Sequence, residues 1–369
     1  MNQNLALRLL SELMGWDDEK ARQEFAWLQL MARFKYDGYG DYLAGARFTE
    51  SLVDWLQQFN VVDRETAYAF VRNRLVYISP MEMLHLVELT YPEFVQRCLV
   101  KDVATRLGIL PYEIWAKPRS TELYRDLCRR TLFMGLSDGA RIDVFRRANV
   151  GVLSNEQIVV ATEISDSKWA RLLKKLRAQT GDSSAGFRHL FLLDDFVASG
   201  TNLLRCDKGH WEGKLKRSWD EIENARRLDD HAFERDWMTH VHHYIGTHQA
   251  DEALRQRNAQ AAHEIEPARW FCNIEFTFGL TLPESLLISS ERDPGMVSLV
   301  ERYYDSAIET EHSDVGGKGL KLGFSGCALP LILDHNTPNN SLAILWAESR
   351  EGAANHRMRP LFRRRQRHA

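Results

Sequence analysis

The segment "HLFLLDDFVASGTNLL", His189 to Leu204, sets two carboxylates, Asp194 and Asp195, between an apolar run and a small, polar, glycine-containing turn. A short apolar run bounded by such a turn reads as a buried strand, with the acids at its carboxyl end. Ligands of open α/β sheets bind just beyond that end. Adjacent carboxylates there accept hydrogen bonds from vicinal sugar hydroxyls, or meet a metal ion through water. The turn Ala198-Ser199-Gly200-Thr201 is expected to open a helix at Asn202-Leu203-Leu204. Small residues let backbone N–H groups approach an anion, hydroxyls add donors, and a helix N-terminus favours negative charge. Together they read as a sugar-phosphate site. Two other readings share the pattern. The magnesium-binding strand of P-loop nucleotide hydrolases needs G-x-x-x-x-G-K-[ST]. Gly213-Lys214 and Gly317-Lys318 both lack the earlier glycine and the following Ser/Thr. A strand whose acids are merely solvated before a capped helix stays open.

Further segments have chemical interest. "LFMGLSDGARIDVFRR" (Leu132 to Arg147) is a strand, then a tight polar turn, then a cluster of cations in which Arg146 and Arg147 also suit an exposed helix face. "LDHNTPNNSLAILW" carries Asn336, Asn339 and Asn340, able to hydrogen-bond a base, and Trp346, able to stack. An ordinary Asn-Pro turn needs no ligand and is the preferred reading of the residues alone. "HVHHYIGTH" offers His240, His242, His243 and His248, but no carboxylate or cysteine there completes a metal set, so structural histidines are expected. The six arginines of "HRMRPLFRRRQRHA" read as a solvated basic end, with phosphate backbones the alternative.

The elements that must position these residues fall into two textures. To about Pro111 the apolar spacing is helical, as in "RFTESLVDWLQQF" and "RETAYAFVRNRLVYI". The start, "MNQNLALRLLSELMGW", is expected to be an amphipathic helix and not a signal peptide. After Arg119 short apolar runs alternate with helical stretches, which argues for a partly parallel α/β sheet. "RWFCNIEFTF", "ALPLILDH" and "LAILWAE" are expected among its strands. The organisation is thus a helical domain over 1–118, an α/β domain over 119–350 with a polar insertion at about 205–235, and a basic tail over 351–369. A net charge of −3 in 369 residues gives no global argument for nucleic acid, and no apolar run reaches membrane-spanning length. Five scattered cysteines without a C-x-x-C pair fit reduced thiols in a cytoplasm.

The acidic stretch resembles the ribose-phosphate signature of type I phosphoribosyltransferases, which use 5-phosphoribosyl 1-diphosphate (PRPP) with magnesium. The resemblance implies that Asp194 and Asp195 hold the ribose hydroxyls and meet Mg2+. It makes Ala198, Ser199, Gly200, Thr201 and Asn202 the loop for the 5-phosphate. Ser137, Asp138, Gly139 and Arg141 then bind the diphosphate, whose geometry suits a guanidinium. Two departures stand out: Ala198 occupies a position where purine-using members often carry an acid, and Asn202 replaces Thr or Ser. "SDGARIDVFRRAN", "LSNEQ", "DDFVASGTN" and "HNTPNNSLAILW" in that order resemble the PRTase-CE family of bacterial conflict systems. The implied fold class is α/β: a type I phosphoribosyltransferase-like (Rossmann-like) parallel sheet core with an N-terminal α-helical domain. The implied function is phosphoribosyl transfer or PRPP hydrolysis by a cytoplasmic, retron-like effector of antiviral defence. A protein or nucleic-acid partner and a homo-oligomer are compatible with it; a membrane is not expected. The alternative is a PRPP or nucleotide sensor without catalysis.

Overall fold

The computed structural model describes residues 3–40, 42, 47–159, 164–265, 270–271, 273–310, 313, 315–317, 319–349 and 357–364. Packing divides the chain into two compact units, 1–83 with 283–369, and 84–282. Apolar residues at helical spacing build α1 (Gln3–Met14), α2 (Asp18–Phe34), α3 (Phe48–Gln57) and α4 (Val61–Asn73). Asp17 caps α2, its carboxylate accepting the Lys20 N–H at 2.8 Å. Where helical periodicity was expected to continue, the chain instead extends as β1 (Val76–Ile78). The β-branched pair flanking Tyr77 favours that change. The helical run resumes as α5 (Pro80–Leu89), widens to a π-turn over Thr90–Val95, and continues as α6 (Gln96–Leu107). Pro92 lies in the π-turn, where a wider turn accommodates a residue without an N–H.

The remaining elements of 84–282 alternate. They are α7 (Pro118–Arg129), β2 (Thr131–Gly135), α8 (Ile142–Ala148), β3 (Ile158–Val159), α9 (Asp166–Thr180) and β4 (Phe187–Val197). A hairpin of β5 (Arg205–Asp207) and β6 (His210–Glu212) precedes α10 (Lys214–Leu228), β7 (Phe233–Thr247), α11 (His248–Glu264) and β8 (Ile274–Leu282). Five strands form one sheet in the order β3-β2-β4-β7-β8, and every pairing is parallel. Such a sheet must be covered on both faces. Leu190 and Leu192 of β4 share a core with Trp169 of α9, Trp219 of α10 and Leu254 of α11. Phe191, on the other face, stacks on Phe133 at 5.5 Å, and Phe133 meets Phe145 of α8 at 5.1 Å. The chain leaves β2 for β3 on one side, then adds β4, β7 and β8 on the other. The gap between β2 and β4 is therefore a topological switch point, where doubly wound sheets bind ligands.

The α/β class with a parallel core and a helical N-terminal region matches the sequence expectation. Several details do not. The expected polar insertion at 205–235 is mostly the regular crossover helix α10, which buries Leu215, Trp219, Ile222 and Ala225. Its charged outer face hid that spacing. "ALPLILDH" supplies β9 (Leu331–Leu333), which pairs parallel with β1 in a separate two-stranded sheet. "LAILWAE" forms the short helix α13 (Ala343–Trp346), after α12 (Pro294–Tyr303). The observed division also differs from a boundary at 118, because α6 and α7 pack within 84–282 while the chain after 283 returns to the first unit's core.

That return includes part of the expected basic tail, whose residues 351–356 and 365–369 lie outside the described ones. Met358, Leu361 and Phe362 are fully buried. Phe362 sits among Tyr36, Tyr39, Tyr42, Phe48 and Tyr77. Its N–H donates to the Leu345 carbonyl at 2.9 Å. The arginines of the segment masked three apolar residues that complete a core. Phe362→Ala is expected to destabilise this unit by about 3–5 kcal/mol in denaturant unfolding, as for other buried aromatics. A solvated tail would show no change.

Candidate functional site

Asp194 and Asp195 lie within β4, three and two residues before its end. Successive strand residues face opposite sides of a sheet. Asp194 shares the parity of Leu190 and Leu192, and so turns toward the α10 side. Its exposure is 1%, and it is held from two directions. Ser137 Oγ, from the loop after β2, donates to Oδ1 at 2.5 Å. Lys214 Nζ, from the first residue of α10, donates to Oδ2 as an ion pair. Burial pushes the Asp194 carboxyl up, to about 6; the Lys214 charge opposes this and the neighbouring Asp195 adds to it. Asp195 turns to the α8 side, and its Oδ1 accepts the Phe196 N–H at 2.9 Å. It lies directly over Gly139, where an added Cβ would stand 2.3 Å from Asp195 Oδ2. Only glycine permits that approach.

The loop after β2 brings the two carboxylates their neighbours. Asp138 is exposed, and Arg141 is half-buried at the entrance to α8. Arg141 adopts φ 46°, ψ 42°, a left-handed conformation that costs a non-glycine residue about 1–2 kcal/mol. The surroundings hold it: its carbonyl accepts from Val144 and Phe145, and Tyr244 Oη of β7 donates to the Ala140 carbonyl at 2.6 Å. Tyr244 lies close enough to Asp194, Asp195 and Arg141 to feel all three charges, although burial dominates in raising its hydroxyl pKa. Arg146 instead donates to the Ile158 carbonyl at 3.2 Å, and Arg147 pairs with Asp143 on the surface. Those two are structural.

The second loop departs from expectation. Residues 198–204 form bends and a turn, and no helix opens at Asn202. The hairpin β5–β6 intervenes, and Gly213 at φ 116° then packs so tightly on Leu203 that a Cβ would meet its carbonyl at 2.4 Å. From there the Lys214 and Leu215 N–H groups donate back to the Asn202 and Leu203 carbonyls at 3.1 and 2.9 Å. The expected helix thus exists, displaced by one hairpin. Ser199 and Thr201 are buried, Asn202 is exposed, and Gly200 supplies the positive φ of 71°. Two residues unremarked in the sequence staple the loop. Arg257 of α11 donates to the Ser199 and Leu204 carbonyls at 3.0 and 3.2 Å. Thr247, which caps α11, donates to the Ala198 carbonyl at 2.7 Å.

Asp194, Asp195, Ser137, Arg141, Lys214 and the turn at Gly200 thus lie at the carboxyl ends of β2 and β4, the strands that flank the switch point. The family model PRTase-CE matches residues 52–364. The chain belongs to the PRTase-CE family. No curated protein and no solved structure matches it. The protein is thus phosphoribosyltransferase-like, and the parallel core is the fold expected of a PRTase-CE chain.

Other quoted segments of this PRTase-CE protein serve structure. Gln157 donates to the Cys128 and Thr131 carbonyls at 2.6 and 2.8 Å and so anchors β2. Asn340 donates to the Phe324 carbonyl and Trp346 to that of Ser341, both in the other unit. The histidine segment divides. His242 and His243 are buried, and burial holds each near 3. His248 is exposed at the start of α11. His240 corrects the expectation that nothing completes a metal set: Cys98 and His189 stand beside it. Both lie far from it in sequence, so no local motif announced them.

Lys214, which holds Asp194, carries no local signal beyond the incomplete P-loop pattern of Gly213-Lys214, so sequence reasoning misses its pairing. Lys214→Met should destabilise the protein by about 3–5 kcal/mol, because it strands a buried charge. Adding Asp194→Asn should recover most of that loss. Urea unfolding of both single variants and the double checks this; a Lys214→Met protein as stable as wild type would contradict it.

Proposed function

We propose that the crevice between the loops after β2 and β4 binds PRPP and that the protein transfers or hydrolyses its phosphoribosyl group. The supporting observation is an acidic pair and a glycine turn at the carboxyl ends of strands flanking a switch point. In this reading Asp195 accepts hydrogen bonds from the ribose hydroxyls, while Asp194 fixes Ser137 and Lys214 beside it. Ala198, Ser199, Gly200, Thr201 and Asn202 surround the 5-phosphate. Ser137, Asp138, Gly139 and Arg141 face the diphosphate. The C1–O bond to diphosphate breaks with its electron pair leaving on oxygen. An acceptor or water bonds to the oxocarbenium-like carbon and gives up its proton to the departing diphosphate or to solvent. Arg141 and Lys214 stabilise the departing charge.

Magnesium fits this donor set in part. Both Asp194 oxygens already answer Ser137 and Lys214, so Asp195 and the ligand's own diphosphate would hold the ion, which would screen the leaving group. Family membership supports a further proposal, an effector role in bacterial antiviral defence with a protein or nucleic-acid partner. Among the described residues no helix is long and apolar enough to cross a membrane.

Ala198, where a catalytic acid often stands, favours a second reading in which the same pocket senses PRPP without consuming it. Calorimetry with PRPP and magnesium tests the shared premise. Asp195→Asn is expected to weaken binding about 10- to 100-fold, the loss of hydrogen bonds to a charged group. Binding untouched by Asp195→Asn sinks the site. Diphosphate release then separates the readings: release with any acceptor marks an enzyme, and tight binding without release marks a sensor.

A further inference from the structure

A second cluster of ligating atoms sits toward the opposite end of the sheet. Cys98 is on α6, His189 near the start of β4, and His240 on β7. Cys98 Sγ lies 3.3 Å from His240 Nε2 and 3.8 Å from His189 Nδ1, and the two nitrogens are 3.2 Å apart. A tetrahedral zinc with Zn–S of about 2.3 Å and Zn–N of about 2.0–2.1 Å needs roughly 3.4 Å between nitrogens and roughly 3.6 Å between sulfur and nitrogen. The three edges are within about 0.3 Å of those lengths, and because Sγ also lies 3.9 Å from His240 Nδ1, the thiol must swing from the ring's flank toward Nε2 to meet the ion.

The outer nitrogens of both rings decide the proton count. His189 Nε2 faces Asp102 Oδ2 at 3.0 Å, and His240 Nδ1 faces Glu275 Oε2 at 3.3 Å. Asp102 also takes ion pairs from Arg106 and Arg188, so it is an ionised acceptor. The His189 proton therefore belongs on Nε2, and the same argument places the His240 proton on Nδ1. The two inner nitrogens then present lone pairs to each other, with a single thiol proton to share. Without a metal ion, one ring must carry a second proton, as an imidazolium, to bridge the two inner nitrogens. A cation between thiolate and imidazoles answers all three. Carboxylates on the outer nitrogens are also the usual means by which metal-ligating histidines are oriented.

We propose that Cys98, His189 and His240 bind one zinc ion, with water in the fourth position and with Asp102 and Glu275 orienting the rings. The thiolate and imidazole donors suit zinc over magnesium or calcium. The ion pins α6 to β4 and β7. Forming the site releases the Cys98 thiol proton to solvent, and no oxidant or reductant is involved.

The full chain, loaded with zinc, dialysed and measured by elemental analysis, should retain one equivalent of zinc. Cys98→Ser and His240→Gln should each retain less than about a tenth as much, and Glu275→Gln should weaken zinc affinity by about tenfold or more. Cobalt added to metal-free wild-type protein should give the intense visible bands of a tetrahedral site and a thiolate charge-transfer band. That readout does not depend on whether the variants fold. Asp195→Asn should keep its zinc, which separates this site from the proposed PRPP pocket. Wild-type protein that holds no zinc, a cobalt spectrum without the thiolate band, or unchanged zinc in Cys98→Ser would each overturn the proposal.

Discussion

A carboxylate buried as deeply as Asp194 must be answered by donors, and much of the architecture around the switch point follows from that demand. Its position on β4 fixes the face on which the answer must arrive. Lys214 arrives there because α10 begins where Gly213 lets the backbone touch the turn after β4. Ser137 arrives because Leu136 is still bonded to Leu193 at 2.9 Å as the loop departs from β2. One charge thus joins the loop after β2 to the start of α10. Asp195 inherits the other face, where Gly139 leaves it room. Neighbours in sequence, the two acids have different work: one organises the walls, and the other presents a carboxylate beside them.

The strand, the acids and the glycine turn were legible in the sequence because each is a local signal. An apolar run, a small-residue turn and alternating textures need only neighbouring residues to be read, and they led to the parallel core. What stayed hidden depends on partners far along the chain. Lys214 lies twenty positions after Asp194, in a charged stretch whose apolar stripe of Leu215, Trp219, Ile222 and Ala225 was masked by its outer face. Arg257 and Thr247 look like ordinary helix residues until their hydrogen bonds reach the loop at Ala198, Ser199 and Leu204. Phe362 shows the same effect in the other unit, since its flanking arginines suggested solvent while its ring fills an aromatic core. Composition averages over a segment; burial is decided residue by residue.

Strand parity links both ends of β4. His189 and Phe191 share the face of α6 and α8, and Asp195 continues that row at the far end. Leu190 and Leu192 occupy the other face, and Asp194 continues theirs. Six residues at about 3.3 Å per residue put roughly 20 Å between His189 and Asp195, so the two clusters cannot share a ligand. They share a register. Shifting β4 by one residue would exchange its faces, turning Asp194 away from Lys214 and taking His189 away from Cys98 and His240. Pairing with β7 along nearly its whole length, and with β2 from His189 to Leu193, opposes such a slip. A tie between α6 and the start of the strand opposes it as well, at the end where the β4–β7 register is irregular between Phe187 and His189. The cysteine–histidine cluster therefore stands where the sheet's own hydrogen bonding is least regular, and Asp102 of α6, paired with Arg188 and His189, ties the helix to the same end of β4, the strand that carries the acidic pair.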